Sequence, residues 1–285
     1  MPHSPLNLVH DERLARLGVT LHLKRDDLIH PELTGNKWRK LKHNLTAARE
    51  QGHTALLTFG GAYSNHIRAT AAAGHHYGFR TVGVIRGEQH LPLNESLARA
   101  TAHGMTLTYL DRQTYRRKTD PPGLVADLLA RFGPAYVLPE GGSNALAVRG
   151  TAELPAEIDQ DFDLICCACG TGGTLAGIAG ALRPGQRALG FSALRGGQFL
   201  AGEVARLQLA EFGRVGDNWA VQCEFHFGGY ARTKPELVEF AADFGARHGL
   251  RLDLVYVAKM LYGIYAMAGR GEIAPGTRVV AVITG

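Results

Sequence analysis

Residues Leu164–Gly177 have the sequence LICCACGTGGTLAG, in which an apolar run passes through a glycine-rich turn into a helical pattern. A short apolar run bounded by glycines is typical of a strand buried inside a sheet. The turn presents backbone N–H groups at the start of the helix, and two threonine hydroxyls lie beside them. The residues predicted to bind an anion in this way are Gly170, Thr171, Gly172, Gly173 and Thr174.

A small phosphate monoester matches this turn better than a nucleotide does. The dinucleotide fingerprint G-x-G-x-x-G lacks its third glycine, because Leu175 stands at that position. The next apolar run, Ala188–Phe191, has no acidic residue at its end to bind a ribose, and the lysine of a Walker motif is missing. A purely structural turn is the alternative.

Apolar runs and helical patterns alternate along the rest of the chain in the same way. The predicted strands are Val19–Lys24, Ala55–Phe59, Thr81–Ile85, Thr106–Leu110, Leu164–Cys169, Ala188–Phe191, Ala220–His226 and Val279–Thr284. The predicted helices are Lys37–Arg49, Asn65–Tyr77, Leu93–His103, Leu124–Phe132, Thr174–Leu182, Pro235–His248 and Val257–Ala268. Such alternation favours an α/β fold with a mostly parallel sheet and helices on both of its sides.

A reactive amine is predicted in the segment Thr34–Lys40, which has the sequence TGNKWRK. A glycine turn followed by Asn36 and Lys37 begins a helix there, and the positive end of the helix dipole disfavours a charged lysine. With the neighbouring cations, this field would lower the pKa of the amine and favour a neutral nucleophile. The alternative is an ordinary surface lysine in front of an amphipathic helix.

A third segment, Gly60–His66, has the sequence GGAYSNH and follows the apolar run that ends at Phe59. Ser64 stands where a helix N-cap belongs, so capping alone is one explanation. The same turn also offers backbone N–H groups, the Ser64 hydroxyl and the Asn65 amide to a carboxylate. An amine, a phosphate cradle and a carboxylate cradle together suit a cofactor aldehyde with a phosphate tail and an amino-acid substrate.

The composition is that of an ordinary globular protein, with 45% hydrophobic and 20% charged residues in a chain of 285. The net charge is +5, but the basic residues are mixed with acids. The densest basic cluster, Trp38–Lys42, is interpreted as a solvated helix face or as an attraction for an anionic small molecule. We therefore expect no nucleic-acid partner, and no apolar run has the length of a membrane span.

The cysteines indicate a structural role and not metal binding. Cys166, Cys167 and Cys169 crowd into one predicted buried strand, where a free cysteine behaves as a small hydrophobic residue, and Cys223 has no close partner. We therefore expect no metal site. Reduced cysteines, and the lack of a secretory signal pattern at Met1 onwards, favour a cytoplasmic location.

In their order along the chain, these segments resemble those of the pyridoxal-phosphate-dependent family that contains 1-aminocyclopropane-1-carboxylate deaminase and D-cysteine desulfhydrase. The likeness includes LKRDD at Leu23–Asp27, LPEGGSN at Leu138–Asn144 and LDLVY at Leu252–Tyr256. It implies the fold of the tryptophan synthase β subunit, with two open, twisted, mostly parallel sheets flanked by helices. Residues 1–45 and 143–285 would form a larger cofactor-binding domain, and residues 46–142 a smaller α/β domain. It also implies pyridoxal 5′-phosphate as cofactor and a homodimer.

The resemblance implies roles for individual residues. Lys37 looks like the lysine that forms a Schiff base with the cofactor and moves the substrate α-proton. The other expected cofactor contacts are Asn36, Asn65 (to the 3-oxygen), Gly170 to Thr174 (the phosphate), Tyr256 (the ring) and Thr284 (near the pyridine nitrogen). The expected substrate contacts are Tyr63, Ser64, Asn65, His66 and, over the substrate, Tyr230. The expected catalytic residues are Lys37, Ser64, Tyr230 and Tyr256.

Two positions depart from the family pattern. The cyclopropane deaminase has Glu directly after the tyrosine that matches Tyr256, whereas this chain has Val257. That acid would keep the pyridine nitrogen protonated, and opening a cyclopropane without a good leaving group depends on it. Tyr63 stands where desulfhydrases often have Gln, so the substrate pocket is expected to differ.

The predicted function is therefore that of a lyase resembling D-cysteine desulfhydrase. It would catalyse β-elimination and deamination of a small amino acid to a 2-oxo acid and ammonia. The alternatives are a 1-aminocyclopropane-1-carboxylate deaminase and a non-catalytic protein that binds pyridoxal phosphate.

Overall fold

The structure of the protein is a computed structural model that describes residues 4–33, 35–117 and 123–284. Its elements in chain order are β1 (Leu6–Val9), α1 (Glu12–Ala15), β2 (Thr20–Lys24), α2 (Lys37–Glu50), β3 (Ala55–Gly61), α3 (Asn65–Tyr77), β4 (Arg80–Arg86), α4 (Glu95–Ala102), β5 (Thr106–Leu110), α5 (Arg112–Arg116), α6 (Gly123–Phe132), β6 (Tyr136–Leu138), α7 (Ala145–Ala152), β7 (Leu164–Cys169), α8 (Gly173–Gly180), β8 (Arg187–Ser192), α9 (Leu200–Phe212), β9 (Trp219–Gln222), α10 (Pro235–His248), α11 (Val257–Gly269) and β10 (Arg278–Val282). Thr34, which belongs to the predicted amine segment, lies outside the described residues.

The strands form two sheets. The larger has six strands in the order β1-β2-β10-β7-β8-β9, and within it β1 is antiparallel to β2 while the other neighbours are parallel. The smaller has the order β5-β4-β3-β6 and is parallel throughout. This confirms the predicted α/β fold with two mostly parallel sheets. Parallel strands end at the same edge, so the turns that follow them collect there.

Helices cover both faces of the larger sheet. Successive side chains of a strand point to opposite faces, and β10 shows the result. Val279 and Ala281 pack into the core that α10 and α11 share, whereas Val280 and Val282 pack into the core built with α8 and α9. The strand is therefore apolar at every position from Val279 to Val282, as a strand covered on both faces requires.

The smaller sheet is covered in the same manner. Leu56 of β3 packs toward α2 and α3, and the next residue, Leu57, packs toward α5 and α6. The apolar side chains of α2, which recur at helical spacing, belong to the first of these cores; they are Trp38, Leu41, Leu45 and Ala48. The predicted domain boundary at residue 45 falls inside α2, and the division into two domains stays a prediction.

Several predicted elements have the observed bounds, among them β5, β7, α3 and α10. The predicted strand Ala220–His226 is wrong beyond Gln222, where β9 ends. Phe225 lies in an irregular segment after β9 and is buried because it packs against α11. Its apolar side chain therefore does not indicate a strand at this position. The sequence analysis also did not predict α9, although its buried residues recur at helical spacing. It likewise missed the short elements α1, α5, α7, β1 and β6.

Candidate active site

One cavity lies where the turns after β3, β7 and β10 meet the first residues of α2 and the residue that precedes α11. The residues that line it are Asn36, Lys37, Lys40, Ser64, Asn65, His66, Gly141, Ala168, Cys169, Gly170, Thr171, Gly172, Gly173, Thr174, Tyr256 and Thr284. The structure therefore brings together all of the predicted site residues except Tyr63 and Tyr230. Segments that are distant in sequence meet because the turns that follow parallel strands share an edge of the sheet.

Lys37 is the first residue of α2 and is half-buried. Burial lowers its pKa to about 8, since a charged amine loses hydration in the cavity wall. The predicted direction of the shift agrees with this, although the predicted cause, the helix dipole and neighbouring cations, is not the one that dominates. At pH 7 about a tenth of a lysine with such a pKa is neutral, far more than for a solvated lysine, and the neutral amine can act as a nucleophile.

The turn before Lys37 touches the end of the larger sheet. Gly35 has a φ of +63°, and a Cβ atom built on it would lie 1.4 Å from the carbonyl oxygen of Thr284. Asn36 continues this turn and donates from Nδ2 to the Thr174 hydroxyl at 2.6 Å. The amine-bearing turn is thus held between Thr284, two residues after the end of β10, and the start of α8.

The glycine-rich turn after β7 has the conformation that an anion-binding loop needs. Gly172 adopts a φ of +76°, and α8 begins at the next residue, Gly173. The α8 N-terminus therefore points its N–H groups at the cavity. Thr171 exchanges a hydrogen bond of 2.6 Å with Ser143, which ties the turn to the segment after β6.

Lys40 adds a second amine to the cavity, which sequence analysis missed. Its Nζ donates to the Gly141 carbonyl at 3.1 Å and to Ser143 Oγ at 2.9 Å. Burial, followed by the charge of Lys37, lowers its pKa. The prediction of a solvated basic helix face is therefore wrong here, and the spacing of three residues from Lys37 was the signal that both amines share one side of the helix.

Arg39, from the same basic cluster, is also buried. Its guanidinium donates to both oxygens of Asp26, at 2.8 and 2.9 Å, and to the carboxylate of Glu157, at 2.6 and 2.7 Å. A buried charge needs such partners because it loses its hydration. The LKRDD motif that contains Asp26 thus anchors α2 to the larger sheet.

The turn after β3 caps α3, as predicted, and its last residues line the cavity. Ser64 caps α3 by accepting from the Ile67 N–H at 3.4 Å, and it also lines the cavity. His66 is buried, and its Nε2 shares a 2.8 Å hydrogen bond with Thr58. Burial lowers the pKa of His66 well below its usual value, with smaller effects from Lys37 and Lys40, so the ring is neutral. Among the described residues no partner reaches its Nδ1.

The tyrosines differ in placement. Tyr256 lines the cavity, and its ring lies against Gly170, where an added Cβ would be 3.3 Å from it. The ring of Tyr230 packs edge-on against that of Tyr256, with centroids 6.0 Å apart, but it is 37% exposed and outside the lining. Tyr63 is 68% exposed and also outside the lining, so the structure does not bring it into the cavity wall.

None of the described residues that line the cavity is acidic. Val257, at the position where the cyclopropane deaminase has Glu, is 2% exposed and packs into the apolar core beneath α11. Thr284 contributes only a neutral hydroxyl at this side of the cavity. Within the described part of the chain, no group of His, Cys, Asp or Glu side chains could hold a metal ion, and no helix is long and apolar enough to cross a bilayer.

The residues present fit pyridoxal phosphate. A nucleophilic amine, Lys37, and a glycine turn at a helix N-terminus that can bind a phosphate line the same cavity, and Lys40 adds a second amine there. Tyr256 offers an aromatic wall, and the partnerless Nδ1 of His66 is a buried polar atom that a bound molecule would satisfy.

The family model described as pyridoxal-phosphate dependent enzyme matches residues 2–285. The chain is 30% identical to a D-cysteine desulfhydrase of Yersinia pestis over 280 residues, covering 89% of this chain and 83% of the relative. It is 31% identical to a mitochondrial protein of Arabidopsis thaliana named bifunctional D-cysteine desulfhydrase/1-aminocyclopropane-1-carboxylate deaminase, covering 87% of this chain and 67% of the relative. A solved structure described as an ACC deaminase homologue superposes with a TM-score of 0.88 at 25% identity, covering 100% of this chain and 90% of that one.

Proposed function

The chain belongs to the family of pyridoxal-phosphate-dependent enzymes, and we propose that within this family it is a lyase that removes a β-substituent from a small amino acid. The products would be a 2-oxo acid and ammonia. The observation that carries the proposal is a cavity that combines a lysine of lowered pKa, a phosphate-binding turn and a carboxylate-binding turn, without an acidic residue among its described lining.

Each part of the cavity has a proposed task. Lys37 would hold the cofactor and move the substrate α-proton, for which a pKa of about 8 suits an amine that must both accept and return a proton. The turn Gly170–Thr174, with Lys40, would bind the phosphate. Ser64 and Asn65 would bind the substrate carboxylate, and Tyr256 would pack on the ring. When bound, pyridoxal phosphate supplies an electron sink for the charge that develops on the substrate α-carbon.

The lining also bears on the leaving group. A protonated pyridine nitrogen needs a nearby acid, and Thr284 can offer only a hydroxyl. A weaker electron sink favours substrates whose β-substituent leaves readily as the α-proton departs, such as a thiolate or a halide. This supports β-elimination over ring opening of a cyclopropane, which has no good leaving group.

The second candidate is 1-aminocyclopropane-1-carboxylate deaminase activity. It is favoured by the names of the Arabidopsis relative and of the superposed structure. The burial of Val257 outside the cavity lining speaks against it. A protein that merely binds the cofactor is disfavoured, because binding alone does not require Ser64 and Asn65 opposite the phosphate turn.

The test is a substrate panel with the cofactor-loaded enzyme. Both enantiomers of cysteine and β-chloroalanine, and 1-aminocyclopropane-1-carboxylate, are compared for release of 2-oxo acid and ammonia. We expect elimination from cysteine or β-chloroalanine of one hand, and at least about 100-fold lower kcat/KM for the cyclopropane. Comparable turnover of the cyclopropane would refute the argument from the neutral lining.

Three further proposals are less detailed. The dimer and the division into domains rest on the resemblance, and the location rests on the free cysteines. We propose that the enzyme is a homodimer, that its location is cytoplasmic, and that residues 46–142 form a separate smaller domain. Light scattering on the purified protein tests the dimer.

Tyr63 keeps its proposed contact with the substrate only if the turn that carries it moves inward on binding, which a crystal structure with an amino acid bound would test.

A further inference from the structure

The segment between β9 and α10, which carries Tyr230, has an unusual backbone. Phe227 and Ala231 have φ values of +51° and +54°, and among the described residues they are the two residues other than glycine with a positive φ. Gly228 and Gly229, between them, have φ values of +96° and +116°. Left-handed backbone is disfavoured for residues that have a Cβ atom, so contacts from the rest of the protein must hold this segment in place.

Lys259 supplies such contacts. It lies in α11, is 1% exposed, and donates from Nζ to the carbonyl oxygens of His226 at 2.8 Å and Gly229 at 2.7 Å. These two carbonyls stand on either side of Phe227 and Gly228, where the backbone turns. The buried Lys259 amine therefore bridges the two ends of the turn.

The Lys259 ammonium group forms no other hydrogen bond in the described part of the chain. No salt bridge is found for it there. The opposing charge that acts on it is that of Asp253, whose carboxylate accepts hydrogen bonds from the backbone N–H groups of residues 255, 256 and 257. Burial lowers the pKa of Lys259, and Asp253 opposes this shift. A buried ammonium is costly without acceptors, so the bonds to the two carbonyls account for its presence.

The position of Lys259 connects this turn with the cavity. Tyr256, whose ring lines the cavity, precedes α11 and stands three residues before Lys259, about one helical turn away. Tyr230 follows Gly229 directly, and its ring packs on that of Tyr256. Phe227 fixes the other side of the turn by packing at right angles on Tyr262 of the same helix, with centroids 4.9 Å apart.

We propose that Lys259 is a positioning residue, whose ammonium group fastens the turn at residues 226–230 to α11 and thereby holds Tyr230 against Tyr256 beside the cavity. The inference rests on the proposed function in that Tyr230 is taken to contact the amino-acid substrate. Lys259 reaches neither the phosphate-binding turn nor Lys37 by any hydrogen bond found among the described residues. Its loss should therefore weaken substrate binding more than cofactor binding.

The experiment compares Lys259→Met with Lys42→Met in the cofactor-loaded enzyme. Methionine keeps the length and apolar stem of lysine but has no donor, and Lys42 lies on α2 with a partly exposed side chain outside the cavity. Three quantities are measured: visible absorbance of the bound cofactor, KM and kcat for the best amino acid, and the rate of trypsin cleavage after Arg232, an exposed residue that follows the turn.

For Lys259→Met we expect unchanged cofactor absorbance, a KM raised about tenfold and a kcat changed by less than about threefold, because substrate positioning is lost while the chemistry is kept. We expect cleavage after Arg232 to be about fivefold faster, since the turn opens more often. Lys42→Met should change none of these. If Lys259→Met does not fold, Lys259→Gln, which keeps an N–H donor of shorter reach, should show the same changes at smaller size.

A folded Lys259→Met or Lys259→Gln enzyme whose KM and cleavage rate both stay within about twofold of the unmodified enzyme would overturn the inference. Equal loss of cofactor absorbance and activity would also overturn it, because a general structural role would then explain the result. If the unmodified enzyme turns over no amino acid, the proposed function fails on its own, and the cleavage rate after Arg232 still decides the role of Lys259.

Discussion

Gly35 controls how closely the lysine-bearing turn approaches the end of the larger sheet. Its left-handed φ of +63° and the carbonyl oxygen of Thr284, 1.4 Å from where a Cβ would be, both require glycine. Lys37 stands two residues further on, so its position depends on this contact. A residue without a side chain therefore determines where the reactive amine lies.

Gly35→Ala should destabilise the protein far more than Gly52→Ala. Gly52 has a similar φ of +75° but has no atom within 4 Å of an added Cβ, so it reports the cost of backbone strain alone. We expect a loss of about 1 kcal/mol in the free energy of unfolding for Gly52→Ala and more than about 3 kcal/mol for Gly35→Ala. Urea unfolding measures both, and equal losses would show that Gly35 does not touch Thr284 in solution.

Lys37→Ala should abolish the visible absorbance band of the Schiff base between lysine and cofactor, together with turnover. The reason is that Lys37 is the amine of lowered pKa at the start of α2, opposite the phosphate-binding turn. The control is Lys42→Ala, which removes an amine from the same helix that lies outside the cavity lining. An undiminished cofactor band in Lys37→Ala would assign the covalent attachment to another residue.

The turn between β7 and α8 acts as a unit. The buried strand places the turn, the left-handed Gly172 ends it, and Gly173 starts the helix whose N–H groups face the cavity. Its geometry is closely constrained, since a Cβ on Gly172 would lie 2.9 Å from a methyl group of Val204 on α9. Thus α9, which the sequence analysis did not predict, packs behind the glycine-rich turn, which it predicted most clearly.

Gly172→Asp should weaken cofactor retention. It introduces a carboxylate next to a dianionic phosphate and crowds Val204. Gly185→Asp is the matched control, because Gly185 has a φ of +88° and open space around its Cβ position. We expect the dissociation constant for the cofactor to be at least about tenfold higher in Gly172→Asp than in Gly185→Asp, which corresponds to about 1.4 kcal/mol. Equal retention would place the phosphate site elsewhere.

Burial of Lys37 links the protonation of one amine to the stability of the whole protein. Its pKa is about 8 in the folded protein, whereas the ordinary value for a solvated lysine, which applies to the unfolded chain, is 10.5. Between these values the unfolded chain binds more protons, so the free energy of unfolding rises with pH in that window. Below about pH 8 the folded protein carries the full penalty of the buried charge.

The unfolding free energy of the cofactor-free protein should therefore rise less between about pH 8 and about pH 10 in Lys37→Met than in the unmodified chain. Groups that titrate in both proteins contribute equally to the two pH dependences, so their contributions cancel in this comparison. Urea unfolding at the two pH values measures it, with Lys42→Met as the control that should retain the full rise. A pH dependence in Lys37→Met that equals that of the unmodified chain would contradict the buried position of Lys37.

The alternation of strands and helices could be predicted from the sequence, because hydrophobic periodicity and glycine turns are local properties of the chain. The segments around Lys37, Ser64 and Gly170–Thr174 were identifiable for the same reason, since each stands at the start of a helix after a turn. The α/β fold with two mostly parallel sheets followed from these patterns and from the family resemblance.

Which of these residues face one another depends on tertiary packing, and local sequence does not contain that information. The local sequence around Lys40 suggested a solvated helix face, and the family resemblance implied a substrate contact for Tyr63. Packing instead buries Lys40 in the cavity wall and leaves Tyr63 68% exposed. Lys259 had no local signal at all, because its acceptors, the carbonyls of His226 and Gly229, lie about 30 residues earlier in the chain. Burial depends on what packs against a side chain, and distant segments meet only when the sheets have formed.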